Sequence, residues 1–397
     1  MATTGSSTIT VPQALHRQSP RNRAVQTLIV YPQDWQPNPT PRAYYQMDNG
    51  EAWGPLWPYA PDGILIGYIQ PGQLNTDGRT LKETVEKINA GCTIETPRLH
   101  AGQYYPRICR VEETVLNLGQ CVPRMADSPF FNSFIGSLQQ IETLFDSLSS
   151  VFRVAHPEPG NFQAYGGAIR DLIILACTEV EAQWKGILKA NNHQAPDGRY
   201  TTNHYIRLLP AMKLDIYRLQ LVRYPGLPAF APFEGWNSEQ PTKSLAWYDA
   251  YNRIKHDREG AFNDATLANS IQAVAGCVVM LAAQFGYETL GEYRFNSVFN
   301  FTEIPKWDPT EWYYGPIPQA ECNPSIFRYE TRPVVLTNPQ LARVTRSGTA
   351  CQLSAPPKNS RKHSLMWEDP IVEAYGQTTQ PTWICSFAAG TRPGRCV

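Results

Sequence analysis

Residues 247–258 read WYDAYNRIKHDR, and the spacing of polar and apolar residues in this stretch is typical of a helix. At about 100° per residue, a helix would collect the apolar side chains of the stretch on one face. Asp249, Asn252, Arg253 and His256 would share the opposite face, within roughly 100° of arc. Residues three or four apart on a helix can touch. The stretch therefore predicts an amphipathic helix whose outer face presents a carboxylate, an amide, a guanidinium and an imidazole.

The placement of proline predicts where other long helices form. Residues 130–156, 160–195 and 242–304 contain no proline, and proline breaks a helix interior. Apolar residues recur at helical spacing in these segments, and such stripes are buried only when helices bundle. The two stripes that precede residue 247 are Phe134, Leu138, Ile141, Phe145, Leu148 and Phe152, and then Tyr165, Ile169, Ile173, Ala176, Val180, Trp184 and Ile187.

Capping residues predict the ends of these helices. We expect starts at Ser128 and Pro129 and near Phe162, the latter helix running to Ala190. Thr242 and Ser244 offer caps before the helix that contains residue 247. Asn263 or Asp264 would cap a last, largely apolar helix, and Gly286 would end it.

The remaining sequence predicts three further parts around a bundle of residues 126–290. Residues 1–125 hold strand candidates and a Thr80–Glu83 capping box, which indicate a small α+β unit of unknown role. Residues 291–338 are aromatic and proline-rich and are expected to form a strap on the bundle. Residues 339–397 lose periodicity and predict a mobile tail of low order. The predicted fold class is mainly α, a helical bundle with an N-terminal α+β unit and an irregular tail.

Composition bounds the compartment and the partners. The chain has 35 basic and 35 acidic residues, which argues against general electrostatic attraction to nucleic acid or to an acidic membrane. No apolar run reaches about 18 residues, and the first residues lack the apolar core of a signal peptide. The nine cysteines are scattered, which favours a reducing compartment. We expect a cytoplasmic protein with no membrane association.

The sequence contains no motif typical of cofactor or metal chemistry. The chain contains no phosphate-binding or dinucleotide-binding glycine motif and no HExxH or GxSxG sequence. Its seven histidines are too far apart along the chain to form a local metal pair. We expect chemistry without a metal or a cofactor, although a metal site assembled across the fold stays open.

A resemblance adds to this interpretation. The run from Tyr165 to Leu188, YGGAIRDLIILACTEVEAQWKGIL, followed by WYDAYNRIKHDR and a closing apolar helix, resembles the HEPN superfamily over about residues 128–287. That superfamily comprises four- to five-helix bundles of bacterial toxins, phage-defence proteins and RNA-processing enzymes. The resemblance implies a dimeric, metal-independent ribonuclease that cleaves RNA through attack by the 2′-hydroxyl.

The resemblance also implies roles for residues on the outer face. His256 would transfer the proton, Arg253 would stabilise the charged phosphate, and Asn252 would orient the phosphate or His256. Lys255, Arg258 and Asp249 would bind the substrate. Active HEPN ribonucleases carry an arginine, four to six residues and then histidine, yet positions 249–251 hold Asp, Ala and Tyr.

Alternatives therefore stay open. The chain could be a non-catalytic module that binds nucleotide, RNA or a protein partner, the last through residues 1–125, or it could have a purely structural role. His256 could simply interact favourably with the helix C-terminus. Arg253 could form a surface ion pair with Asp249 or Asp257, and Glu181 could pair with Lys185.

Overall fold

The computed structural model of the chain describes residues 23–32, 40–56, 58, 64–65, 72–110, 123–124, 130–257, 259–287, 290, 294–315, 317–318, 329–330 and 332–333. All of these belong to one compact unit, residues 1–347. The predicted tail, residues 339–397, lies outside the described residues.

Thirteen strands and seven α-helices occur in the described ranges. The strands are β1 (Ala24–Tyr31), β2 (Arg42–Met47), β3 (Ala52–Leu56), β4 (Ile64–Leu65), β5 (Gly72–Leu74), β6 (Thr93–Glu95), β7 (Gln103–Tyr104), β8 (Pro123–Arg124), β9 (Arg218–Leu221), β10 (Phe299–Glu303), β11 (Ile317–Pro318), β12 (Tyr329–Glu330) and β13 (Arg332–Pro333). The helices are α1 (Leu81–Ile88), α2 (Phe131–Phe152), α3 (Gly167–Ala190), α4 (Thr202–Tyr205), α5 (Leu208–Met212), α6 (Ala246–His256) and α7 (Leu267–Phe285).

The N-terminal region forms a five-stranded antiparallel sheet in the order β5-β3-β2-β1-β6. Both faces of the sheet are buried. Leu81 and Val85 of α1 cover one face, and aromatic residues from beyond residue 300 cover the other. The predicted capping box forms at the start of α1, where the Thr80 hydroxyl accepts from the Glu83 backbone N–H and the Glu83 carboxylate accepts from that of Thr80.

This sheet shows that the predicted mainly α class is wrong. Helix accounts for 45% and strand for 17% of the structure, so the fold is mixed α/β. Two features concealed the extent of the sheet, for which the sequence offered only strand candidates. Strands buried on both faces lack the alternation of polar and apolar residues, and β3 contains Pro55, which normally marks a break. Pro55 is tolerated because the pairing of β2 with β3 shifts register beside it.

Helices α2, α3, α6 and α7 pack around a common apolar core. Sixteen of the 19 residues of α7 are buried, and this helix lies against the other three. By length and composition α7 could cross a membrane, but 83% of its most apolar window is buried inside the protein, as in the core helix of a soluble protein. The predicted stop at Gly286 is confirmed by its φ of 89°.

Several predicted helix starts are wrong. Thr266 caps α7 by accepting from the Asn269 backbone N–H, whereas residues 262–264 form a separate 3₁₀ turn. The Leu245 N-cap position of α6 has no side-chain cap; the nearby Ser244 hydroxyl instead accepts from Asn237. The helix predicted to begin near Phe162 begins at Gly167.

A strap, defined as residues 299–314, joins the sheet to the bundle. Its aromatic residues belong to two cores: Trp307, Trp312 and Tyr314 pack with the sheet, whereas Tyr313 packs with the bundle. The Tyr313 hydroxyl donates to the Ile108 carbonyl at 3.0 Å. The strap was predicted to pack on the bundle alone. Its described residues contact both the bundle and the sheet.

Candidate functional site

Helix α6 has the two faces that its sequence predicts. Trp247, Ala250, Tyr251 and Ile254 are each at most 3% exposed. The indole N–H of Trp247 donates to the Pro232 carbonyl at 2.7 Å, which anchors the start of the helix against the preceding loop. The four polar residues predicted to lie opposite are all partly or fully exposed: Asp249, Asn252, Arg253 and His256.

Arg253 lies between two carboxylates. Its Nε is 3.3 Å from an Asp249 oxygen one turn earlier, and its Nη1 is 2.7 Å from an Asp264 oxygen in the turn that follows α6. Asp257 instead accepts from the Gly260 backbone N–H at 2.8 Å. The ion pairs orient the guanidinium and offset its charge, while 53% of the Arg253 side chain stays exposed. The N–H groups not directed at the carboxylates can still meet an anion.

His256 is the last residue of α6, and its side chain is exposed. Within the described part of the chain, no group makes a hydrogen bond or an ion pair with its ring. Asn252 does not orient His256 in this structure, since its amide donates to the Tyr248 carbonyl at 3.0 Å.

The other edge of α6 contains a polar row that the sequence did not reveal. The Tyr248 hydroxyl donates to the Glu181 carboxylate of α3 at 2.5 Å, and Lys255 donates to the Tyr251 hydroxyl at 3.0 Å. Burial and the Glu181 carboxylate raise the pKa of Tyr248. The hydrogen bond from the ammonium to Tyr251 raises the pKa of Lys255. The hypothesis of a Glu181–Lys185 pair is wrong, because Lys185 instead lies 5.8 Å from the Tyr200 ring centre.

Five of the six sequence-predicted site residues therefore lie within α6, at positions 249, 252, 253, 255 and 256. Arg258 lies outside the described residues. More carboxylates than cations occur in the described part of the site and at its margins. The acids are Glu181, Asp249, Asp257, Glu259 and Asp264, and the described cations are Arg253 and Lys255. Binding of a phosphate group at this site would therefore depend on specific contacts, because the site has no excess of positive charge.

In the described ranges, no group of three or more His, Cys, Asp or Glu side chains could hold a metal ion. What the outer face offers is an exposed imidazole on the same helix as an oriented, half-exposed guanidinium. These groups can transfer a proton and stabilise a negatively charged oxygen.

Comparison with known proteins leaves the class of the chain open. No family model, no curated protein and no solved structure matches it.

Proposed function

We propose that this chain is a HEPN-like, metal-independent ribonuclease that acts as a stress or phage-defence effector in the cytoplasm. The proposal rests mainly on one juxtaposition: the accessible His256 imidazole lies three residues from the oriented Arg253 guanidinium on α6. The cytoplasmic location is supported by the free thiols of Cys92, Cys109, Cys177 and Cys277, since disulfides form in oxidising compartments.

In the proposed reaction, RNA supplies its own nucleophile. His256 takes the proton of a 2′-hydroxyl, the 2′-oxygen bonds to phosphorus, and the bond from phosphorus to the 5′-oxygen breaks. The His256 of a second copy, across a two-fold axis, returns a proton to the departing 5′-oxygen. Arg253 donates to the phosphate oxygens as their charge grows. Lys255 and Arg258 bind the neighbouring backbone, and Asp249 holds Arg253.

The test is cleavage of labelled RNA in the presence of EDTA. Wild type is expected to cleave the RNA, and His256→Ala is expected to lose cleavage while staying folded. His156→Ala is a matched control because His156 is exposed and distant in sequence; it should cleave as wild type does. Equal cleavage by wild type and His256→Ala would refute the proposed site.

A second candidate is a non-catalytic HEPN-like module that binds RNA, nucleotide or a protein partner, the last through residues 1–125. The ion pairs of Arg253 with two carboxylates favour it, because they offset the charge that catalysis would need. The absence of arginine from positions 249–251 points the same way. This candidate predicts binding of labelled RNA with no cleavage by either protein.

A further inference from the structure

A cluster of cationic and aromatic side chains lies at the C-terminal end of α3, outside the site on α6. We call it the α3-end patch and define it by Lys185 and Lys189 of α3 together with His193, Tyr200, His204 and Arg207. Lys185 Nζ lies 5.8 Å from the Tyr200 ring centre. The Tyr200 ring is 6.0 Å from the His204 ring, which is 5.8 Å from the His193 ring. Arg207 is close enough to lower the pKa of His193, together with burial, the larger cause, and His204.

The charge around this patch differs from the balance of the whole chain. Residues 182–212 contain four basic residues and one acidic residue. The acidic residue, Asp197, accepts from the Arg199 backbone N–H at 3.1 Å. The basic residues are Lys185, Lys189, Arg199 and Arg207. A local positive region can attract an anion although the chain is neutral overall.

The patch is held in place by hydrogen bonds. Asn191, fully buried at the end of α3, donates to the carbonyls of Pro106 and Ile187 at 2.8 and 2.9 Å. The Tyr200 hydroxyl donates to the His193 carbonyl at 2.8 Å. The Thr201 backbone N–H donates to Nδ1 of His204 at 3.0 Å. The neutral His204 ring therefore carries its proton on Nε2, which can donate to an anion.

The patch follows directly on the polar row beside α6. Lys185 lies one helical turn beyond Glu181, which accepts from Tyr248 of α6. At a rise of about 1.5 Å per residue, the four-residue step from Glu181 to Lys185 spans about 6 Å along α3. The patch therefore begins about 6 Å along α3 from the Tyr248–Glu181 contact, and Lys189 extends it by one further turn.

We propose that the α3-end patch binds the phosphate backbone of single-stranded RNA. This inference rests on the proposed function and extends it, because it adds a substrate-binding surface with the positive charge that the site on α6 lacks. Lys185 and Lys189 neutralise successive phosphates, and His204 donates to a phosphate oxygen. The contacts are to the backbone, so the patch adds affinity without base specificity.

The test compares two double variants in a His256→Ala background, in which bound RNA stays intact. Lys185→Gln/Lys189→Gln removes the exposed lysines of the patch. Lys82→Gln/Lys87→Gln removes two exposed lysines from α1 as a matched control. Fluorescence anisotropy with a labelled single-stranded RNA gives the Kd at several salt concentrations. We expect a several-fold weaker Kd for the patch variant, with a salt slope shallower by about 0.7 per lost phosphate contact, and no change for the control.

Each outcome separates this inference from the ribonuclease proposal. Patch-dependent binding without cleavage by wild type would refute the ribonuclease and support the patch. Cleavage and binding that do not depend on Lys185 and Lys189 would refute the patch alone. Displacement of the RNA by inorganic tripolyphosphate at equal phosphate concentration would overturn the assignment to RNA. If wild type and the His256→Ala protein bind no RNA, both proposals fail.

Discussion

The hydroxyl of Tyr248 donates a hydrogen bond of 2.5 Å to the carboxylate of Glu181, and this contact joins α6 to α3. Tyr248 is 4% exposed, and its ring packs 5.4 Å from that of Trp184 on the same helix as Glu181. Hydrogen bonds to a charged acceptor are shorter and stronger than neutral ones. The contact therefore helps to hold α6 against α3.

Removal of this hydroxyl is expected to destabilise the protein. Tyr248→Phe keeps the ring but leaves the Glu181 carboxylate without its donor, which costs about 1–3 kcal/mol. Urea unfolding followed by circular dichroism measures the loss. Tyr165→Phe is the control, because Tyr165 is 56% exposed. Equal unfolding midpoints for the two variants would show that the contact adds no stability.

Two glycines in helix interiors are expected to respond in opposite ways to alanine. A Cβ at Gly186 would clash with Nη1 of Arg107, whereas a Cβ at Gly136 would meet nothing within 4 Å. Arg107 is 6% exposed and donates to Gln284 at 2.8 Å, so it cannot easily move aside. Alanine gains about 1 kcal/mol over glycine in a helix.

Gly136→Ala should therefore raise the free energy of unfolding by about 1 kcal/mol. Gly186→Ala should lower it by about 1–3 kcal/mol, because the clash outweighs the helix propensity. Thermal and urea unfolding of the two variants provide the measurement. Stabilisation by Gly186→Ala would mean that Arg107 does not lie firmly against α3.

The carboxylate of Asp264 is expected to weaken RNA binding by Arg253. Asp264→Asn keeps the shape of the side chain but removes one of the two charges that offset the guanidinium. The affinity for single-stranded RNA should rise several-fold in a His256→Ala background, as measured by anisotropy. Asp146→Asn is the control, because Asp146 pairs with Arg294 at 2.9 Å on another surface. An unchanged Kd for Asp264→Asn would argue that Arg253 does not touch the RNA.

Buried tyrosines are expected to make the protein unstable at high pH. Burial, with smaller contributions from Glu181 and neighbouring tyrosines, raises the pKa of Tyr205 from 10.0 to about 12. Burial raises the pKa of Tyr217 and Tyr313 as well. Since the folded pKa lies above the unfolded one, the stabilisation is complete below about pH 10 and is lost as pH rises through the folded pKa.

Urea unfolding at about pH 8 and about pH 11 would measure this loss. Tyr205→Phe should show a shallower decline between the two pH values, since it has one fewer buried phenol to ionise. Tyrosinate absorbance, read in the same samples, should rise together with unfolding. Ionisation of all tyrosines near pH 10 in the folded protein would contradict the expected shift.

The sequence predicted the bundle more fully than the sheet, for a physical reason. Periodic apolar residues revealed α2, α3 and α6 because each of these helices has one face in water, whereas α7 was revealed by its long apolar run without proline. The strands of the sheet are covered on both faces, so their sequences do not alternate between polar and apolar residues. Pro55 also interrupts the sequence of β3. The start of α7 was misjudged because Asp264 and Thr266 are both good caps, and only the preceding turn selects between them.

The same limit applies to the site. The two faces of α6 follow from spacing along one helix and were predictable. The Arg253–Asp264 pair depends on how the chain turns after His256, and the Tyr248–Glu181 contact depends on how two helices pack. Neither can be derived from local spacing. The basic segment 182–212 was readable from charge alone, but its grouping around Tyr200 appears only in the fold.

The strap limits which parts of this chain can be transferred to another protein. Its aromatic residues belong to two hydrophobic cores. The sheet and the bundle therefore each need the strap to complete their core. A gene fusion that carried only residues 126–290 would leave behind Tyr313 and the residues around Ile108, exposing the apolar surface they cover. A piece that can be transplanted intact therefore has to include the sheet, the bundle and the strap together, and also β13, which pairs with β7.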